Sequence, residues 1–153
     1  MWIVVAKAQV IGMTNSTTLL LVEDDPDDAA LTEMALRETP TRLEIAANAQ
    51  EALDYLFNNA NAGPAVVLLD LRLPDADGLE VLRRIRANDR TSLIPVVILT
   101  SSMAPDDVDR AYRAGASSFV RKPTEFERFT DQVRQIATYW LAVNQPPSSN
   151  GRA

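Results

Sequence analysis

The 153-residue chain contains no histidine and no cysteine, which excludes thiol nucleophiles, zinc clusters, disulfide frameworks, imidazole bases and Ser-His-Asp triads together. Any chemistry must come from carboxylates, hydroxyls or amines. Such groups sit where short apolar runs end: Glu23-Asp24-Asp25 after Leu20-Leu21-Val22, Asp70 after Val67-Leu68-Leu69, Thr100-Ser101-Ser102 after Val97-Ile98-Leu99, and Lys122-Pro123 after Phe119-Val120-Arg121. If the runs are neighbouring parallel strands, three carboxylates, a hydroxyl and an amine converge on one edge. Two carboxylates ~4 Å apart repel by ~4 kcal/mol at an effective dielectric of ~20, so Glu23, Asp24 and Asp70 need a cation. Lys122 supplies one charge, and an oxygen-only cluster with room for water suits Mg²⁺. A carboxylate beside a hard metal, a hydroxyl and an ammonium is equipped for phosphoryl transfer, with Asp70 as nucleophile and the other groups neutralising the equatorial oxygens.

Taken singly, most of these residues have a plainer role. Asp25 before Pro26 reads as a helix cap rather than a ligand, Thr100 as a β-former, and Lys122-Pro123 as a surface turn. Asp70 resists that treatment, because an Asp closing a fully apolar strand is desolvated at a cost unless something binds it. The joint pattern carries the inference.

The elements that must position these groups follow from hydrophobic period and cap signals. Strands are expected at Thr18–Glu23, Leu43–Ala47, Ala65–Asp70, Val96–Leu99 and Ser117–Val120, alternating with helices at Pro26–Glu38, Ala49–Asn58, Asp77–Ala87, Pro105–Arg113 and Glu125–Val143. Asn48 with Glu51 and Thr124 with Glu127 have capping-box spacing, and Gly115 follows the fourth helix. In the last helix Phe126, Phe129, Val133, Ile136 and Trp140 form one apolar face for packing on the sheet. Strictly alternating units of this kind give a doubly wound α/β fold, a parallel sheet with helices on both faces. Ligands of such sheets bind beyond the carboxyl ends of the strands, where the carboxylates, Thr100 and Lys122 lie.

Composition bounds the partners. With 15 Lys and Arg against 21 Asp and Glu the net charge is −6, which opposes nucleic acid as a main partner. No apolar stretch approaches the ~20 residues of a membrane span, and the lack of Cys permits a cytoplasmic location. At this length folding buries roughly 70% of the unfolded chain's surface, so one domain can hold itself together without staples. Residues 1–17 are expected to be an N-terminal arm, its first twelve an over-extended start before Met13, and 144–153 a polar, Pro-bearing tail around a domain at 18–143.

Four segments carry a family resemblance: Leu20-Leu21-Val22-Glu23-Asp24-Asp25; Val67-Leu68-Leu69-Asp70-Leu71-Arg72-Leu73-Pro74 with Asp77-Gly78; Val97-Ile98-Leu99-Thr100-Ser101-Ser102; and Gly115 to Pro123. In this order the chain resembles a two-component response-regulator receiver domain. The resemblance implies a flavodoxin-like five-stranded sheet of order 2-1-3-4-5 with five helices. It implies Asp70 as phosphoacceptor and Glu23 and Asp24, with Asp70 and the backbone carbonyl of Arg72, as Mg²⁺ ligands. Thr100 and Lys122 would bind phosphoryl oxygens, Lys122-Pro123 would be a cis peptide, and Phe119 would be the aromatic switch acting with Thr100. Phe lacks the hydroxyl of the commoner Tyr, so switching must rest on ring burial and Thr100 movement.

With about ten residues after the last helix, the resemblance implies a stand-alone cytoplasmic receiver, a signalling protein catalysing only its own phosphorylation and dephosphorylation. Segments such as Ala111-Tyr112-Arg113-Ala114-Gly115-Ala116 and Tyr139 to Pro147 resemble the small regulators paired with phytochrome histidine kinases. The expected partner is a histidine kinase, a bacteriophytochrome. The expected output is relay through the face of the fourth helix, fifth strand and fifth helix, or drainage of phosphate from the kinase. Tyr139, Leu141 and Val143 fall off the apolar stripe and suggest a homodimer contact. A haloacid-dehalogenase-like phosphatase would need a second Asp where Arg72 stands. A flavodoxin-type carrier would need a phosphate-binding loop where Glu-Asp-Asp-Pro-Asp-Asp stands.

Overall fold

The computed structural model describes residues 17–58 and 63–148. Its elements, in chain order, are β1 (Thr18–Val22), α1 (Pro26–Leu36), β2 (Arg42–Ala46), α2 (Ala49–Asn58), β3 (Val66–Leu69), α3 (Gly78–Ala87), β4 (Val96–Thr100), α4 (Pro105–Ala114), β5 (Ser118–Arg121) and α5 (Phe126–Thr138). A single π turn, Tyr139–Val143, continues α5. All strand pairs are parallel, and the sheet order is β2-β1-β3-β4-β5. The doubly wound fold and strand order are as the sequence implies. The proposed arm, residues 1–17, lies outside the described residues except for Thr17, as does 149–153 of the proposed tail.

The strands β1, β3 and β4 are buried nearly throughout because helices cover both faces. The two-residue period divides their side chains between two cores. Leu20, Val22, Val67, Leu69, Val96 and Ile98 pack with α2, α3 and Ala111 of α4, whereas Leu19, Leu21, Val66, Leu68, Val97 and Leu99 pack with α1 and α5. Each fully buried aliphatic side chain contributes about 1.5–3 kcal/mol. The central strands are therefore a rigid base for whatever their carboxyl ends carry.

Local signals set the helix starts. The Asp25 side chain accepts from Asp27 N–H at 2.9 Å with Pro26 in the first helical position, so Asp25 is a cap, and Asp77 caps α3 through Leu79 N–H at 3.0 Å. Asn48 accepts from Glu51 N–H at 2.8 Å, while the Glu51 carboxylate takes the Ala47 N–H at 2.9 Å. Gly115 ends α4 at φ 108°, a left-handed conformation that favours glycine.

Four expectations are corrected. Thr124 and Glu127 form no capping box: the N-cap of α5 is one residue later, Glu125, whose carbonyl accepts from Phe129 N–H at 3.0 Å, so the pair is out of register. Phe126, placed on the packed face by its spacing, is 50% exposed, because packing begins a turn further on with Phe129. Leu141, read as leaving the stripe, is partly buried on the same core as Trp140. The cause is the π turn, closed by Asn144 N–H on the Tyr139 carbonyl at 2.6 Å, which breaks the 3.6-residue period and lets two consecutive residues face inward. Finally, no peptide bond among the described residues is cis, so Lys122-Pro123 is trans. Lys122 N–H continues the ladder to the Thr100 carbonyl at 2.8 Å, the extended conformation favoured before proline, and trans is intrinsically preferred by about 0.5–1 kcal/mol.

Candidate functional site

Sheet register brings the chemistry together. Val22 pairs with Leu69, and Leu69 with Ile98, so the residues just beyond these strand ends, Glu23 and Asp70, share one edge with Thr100. Asp70 N–H donates to the Val22 carbonyl at 3.1 Å and Glu23 N–H to the Ala46 carbonyl at 2.9 Å, fixing both backbones. Carboxylate oxygens of Glu23, Asp24 and Asp70 lie within 4.8 Å of one another; Glu23 and Asp70 are buried and Asp24 is exposed. An oxygen-only set of this kind, open to water on the Asp24 side, fits a hard divalent cation. Such a cluster could hold a metal.

Lys122 reaches into this cluster. Its ammonium donates to Glu23 Oε1 at 2.5 Å, Asp28 Oδ2 at 2.9 Å and Asp70 Oδ2 at 3.1 Å. Burial alone would lower its pKa, but the hydrogen bonds of Glu23 and Asp28 and the charge of Asp70 outweigh that and hold it above the ordinary lysine range. The Glu23 carboxyl is pushed up to about 7 by burial, against the pull of Lys122 and the Asp25 N–H, with the Asp70 charge adding to the rise. The rise of a carboxyl beside a salt-bridged lysine therefore reflects chiefly its removal from water, which the ammonium offsets only in part. Asp28 escaped the sequence reading, which noted it only as the last residue of the acidic Glu-Asp-Asp-Pro-Asp-Asp stretch after the first strand.

The loops beyond β3 and β4 are tied to this edge. The second oxygen of Asp70, Oδ1, accepts from Arg72 N–H at 3.2 Å, and Arg72 pairs with Asp77 in an isolated antiparallel bridge. Gly78 N–H donates to the Leu71 carbonyl at 2.8 Å. Asp75 turns the other way and accepts from Ala49 N–H at 2.8 Å and Gln50 N–H at 3.0 Å, which binds the β3–α3 loop to the start of α2. Thr100 is fully buried and accepts from Ser102 N–H at 3.3 Å; the Ser102 hydroxyl hydrogen-bonds Asp107, which pairs with Arg110. Arg110 in turn meets Asp77 at 3.5 Å, closing a path between the two loops. Phe119 lies opposite Ile98 and is partly buried against the core on the α2–α4 side.

Residues 19–134 match the family model for the response regulator receiver domain. The chain belongs to that family. This receiver is 42% identical over 146 residues to the probable methanogenesis regulatory protein FilR2 of Methanothrix harundinacea, covering 92% of this chain and 94% of that protein. Its fold superposes on the phosphorylated cyanobacterial phytochrome response regulator RcpA with a TM-score of 0.81 at 31% identity, covering 87% of this chain and 99% of RcpA. On the bacteriophytochrome response regulator AtBRR the TM-score is 0.67 at 40% identity, covering 88% and 98%. Other curated relatives are longer, and the receiver spans 58% of one and 44% of another. Receivers are signalling proteins that interact with histidine kinases and bind Mg²⁺ at an acidic pocket. Among the described residues no helix is long and apolar enough to cross a membrane.

Proposed function

We propose that this receiver takes a phosphoryl group from a histidine kinase onto Asp70, with Glu23, Asp24, Asp70 and the Arg72 carbonyl holding Mg²⁺. The observation that carries the reading is Asp70 itself. It is a carboxylate only 8% exposed at the end of a central, fully apolar strand, hydrogen-bonded by an ammonium and flanked by two further carboxylates. An Asp70 carboxylate oxygen attacks the phosphorus of the kinase's phosphohistidine. The P–O bond forms as the P–N bond breaks, and the electron pair leaves on the imidazole nitrogen. Lys122, already at 3.1 Å from Asp70, donates to one equatorial oxygen of the incoming group. The Thr100 hydroxyl turns from Ser102 N–H towards another. Glu23, Asp24, Asp70 and the Arg72 carbonyl would hold a divalent cation, which would supply the positive charge that the remaining equatorial oxygen calls for. Movement of Thr100 opens space that Phe119, lacking a hydroxyl to hydrogen-bond, fills by ring burial alone.

Similarity to RcpA and AtBRR supports a bacteriophytochrome as the kinase. Tyr112 on α4, with Tyr139 and Val143 at the end of α5, are each about half exposed or more, and they support relay and homodimerisation through the α4–β5–α5 face. The deciding experiment is intact-mass measurement after incubation with acetyl phosphate and Mg²⁺. The wild type should gain one phosphoryl group, about 80 Da, and Asp70→Asn none. An equal adduct on the Asn variant overturns the assignment. A phosphotransfer profile across histidine kinases, bacteriophytochromes included, then tests the partner.

A further inference from the structure

The Lys122 ammonium has three N–H donors and three carboxylate partners, Glu23, Asp28 and Asp70, so its donors are all used. Two of these partners belong to the cluster that could hold a metal; Asp28 does not. A cation binding to Glu23 and Asp70 claims the same lone pairs that the ammonium occupies and repels it. Lys122 then needs a hydrogen-bond acceptor outside the cluster, close enough to keep the ammonium at its rim.

Asp28 has the geometry for that task. It stands on the first turn of α1, its Oδ2 is 2.9 Å from Nζ, and its own carbonyl accepts from the Thr32 hydroxyl at 2.9 Å. The Lys122 side chain is 8% exposed and that of Asp28 27%, so this is no loosely solvated surface pair. Charge-assisted hydrogen bonds in such surroundings are about twice as strong as neutral ones.

Building on the reading of the acidic cluster given above, we propose that Asp28 is a positioning residue. Its carboxylate holds the Lys122 ammonium beside the cluster without drawing on the cluster's own oxygens, leaving Glu23 and Asp70 free for metal and phosphoryl group. Without Asp28, the remaining carboxylate partners of Lys122 are Glu23 and Asp70, and the ammonium competes with the cation.

Isothermal titration of the full chain with MgCl₂ alone tests this, with circular dichroism to confirm folding. Asp28→Ala should weaken Mg²⁺ binding about tenfold, the effect of losing one charge-assisted hydrogen bond. Asp28→Asn, whose amide oxygen still accepts from the ammonium, should recover most of the loss, although both variants remove the same charge. In a Lys122→Ala background the Ala and Asn variants at position 28 should bind Mg²⁺ equally. If Asp28→Ala unfolds the chain, Asp28→Ser, too short to reach Nζ, takes its place in each comparison. Binding within twofold of wild type, equal losses for Ala and Asn with Lys122 present, or a persisting difference without it would each overturn the proposal. A wild type that binds no Mg²⁺ would instead refute the reading of the cluster on which it rests.

Discussion

Replacing Gly78 by Ala sets two physical effects of opposite sign against each other. Gly78 is the first residue of α3 and has no positive φ to protect, so helix propensity alone predicts a gain of about 0.8–1 kcal/mol. A Cβ built there, however, lies 2.2 Å from the Asp70 carbonyl oxygen, 2.8 Å from Leu71 Cα and 3.1 Å from the Asp70 carbonyl carbon. Ordinary contact begins at 3.4 Å, so Cβ and oxygen must part by about 1.2 Å. All three obstacles are backbone, and no rotamer change relieves them. Either α3 lifts from the sheet, stretching the bond from Gly78 N–H to the Leu71 carbonyl, or Asp70 moves. Overpacking of this kind costs about 1–3 kcal/mol, and a strained hydrogen bond adds up to about 1 kcal/mol. An approach as short as 2.2 Å to backbone puts the overpacking at the upper end of its range, so after the propensity gain the net expectation for Gly78→Ala is a loss of about 2–3 kcal/mol in urea unfolding. Because a displacement of about 1 Å at a reacting group can cost roughly 100-fold, phosphorylation by acetyl phosphate should slow by one to two orders of magnitude in folded protein. A variant as stable as wild type, or more stable, would refute the claim that the glycine is required by backbone contact.

Arg86 donates to the carbonyls of Gly115 at 2.8 Å, Ile94 at 2.7 Å and Ser92 at 3.1 Å, so Arg86→Met should lower unfolding free energy by about 2–4 kcal/mol; an unchanged urea midpoint would contradict this. The Asp75 carboxyl is held below the ordinary aspartate range first by the Ala49 N–H, helped by that of Gln50 and opposed by slight burial. A depressed folded-state pKa stabilises the fold above the unfolded-state value and ceases to do so as pH falls through the folded value. Asp75→Asn should therefore melt below wild type at neutral pH, with the gap closing on acidification, and a gap independent of pH would sink the idea. Tyr139→Glu with Val143→Glu should shift the light-scattering mass from dimer to monomer without changing the circular dichroism. A wild type monomeric at high micromolar concentration with beryllofluoride present would end the dimer reading.

The sequence made the strand ends legible because period-2 burial and the apolar runs leave few registers for a parallel sheet, and because Glu23, Asp70 and Thr100 follow such a run directly and Asp24 and Lys122 one residue later. Side-chain contacts between distant segments were not legible. Asp28 meets Lys122 across 94 positions, Asp75 caps a helix 26 positions earlier, and Arg86 reaches Gly115 29 positions on. Nothing local in their neighbourhoods distinguishes these from solvated charges. Helix-period reasoning misplaced Leu141 because it assumes an unbroken α-helix and the last turn is wider, and misplaced Phe126 because it does not say where along the helix packing begins. Leu93, Met34 and Ile45 are about half exposed for no reason that spacing reveals.

The widened turn at Tyr139–Val143 amounts to one residue more than an α-helix needs over the same rise. Removing a single residue there would restore the regular helix and leave the following segment on nearly the same heading, because the wider turn already absorbs the surplus residue. What the one-residue count sets is which side chains meet the core, since only the wider turn lets the consecutive residues Trp140 and Leu141 both pack inward. In this stretch a deletion, rather than a substitution, is the change that would re-deal the inward and outward faces while leaving the sheet edge of Asp70 as it is.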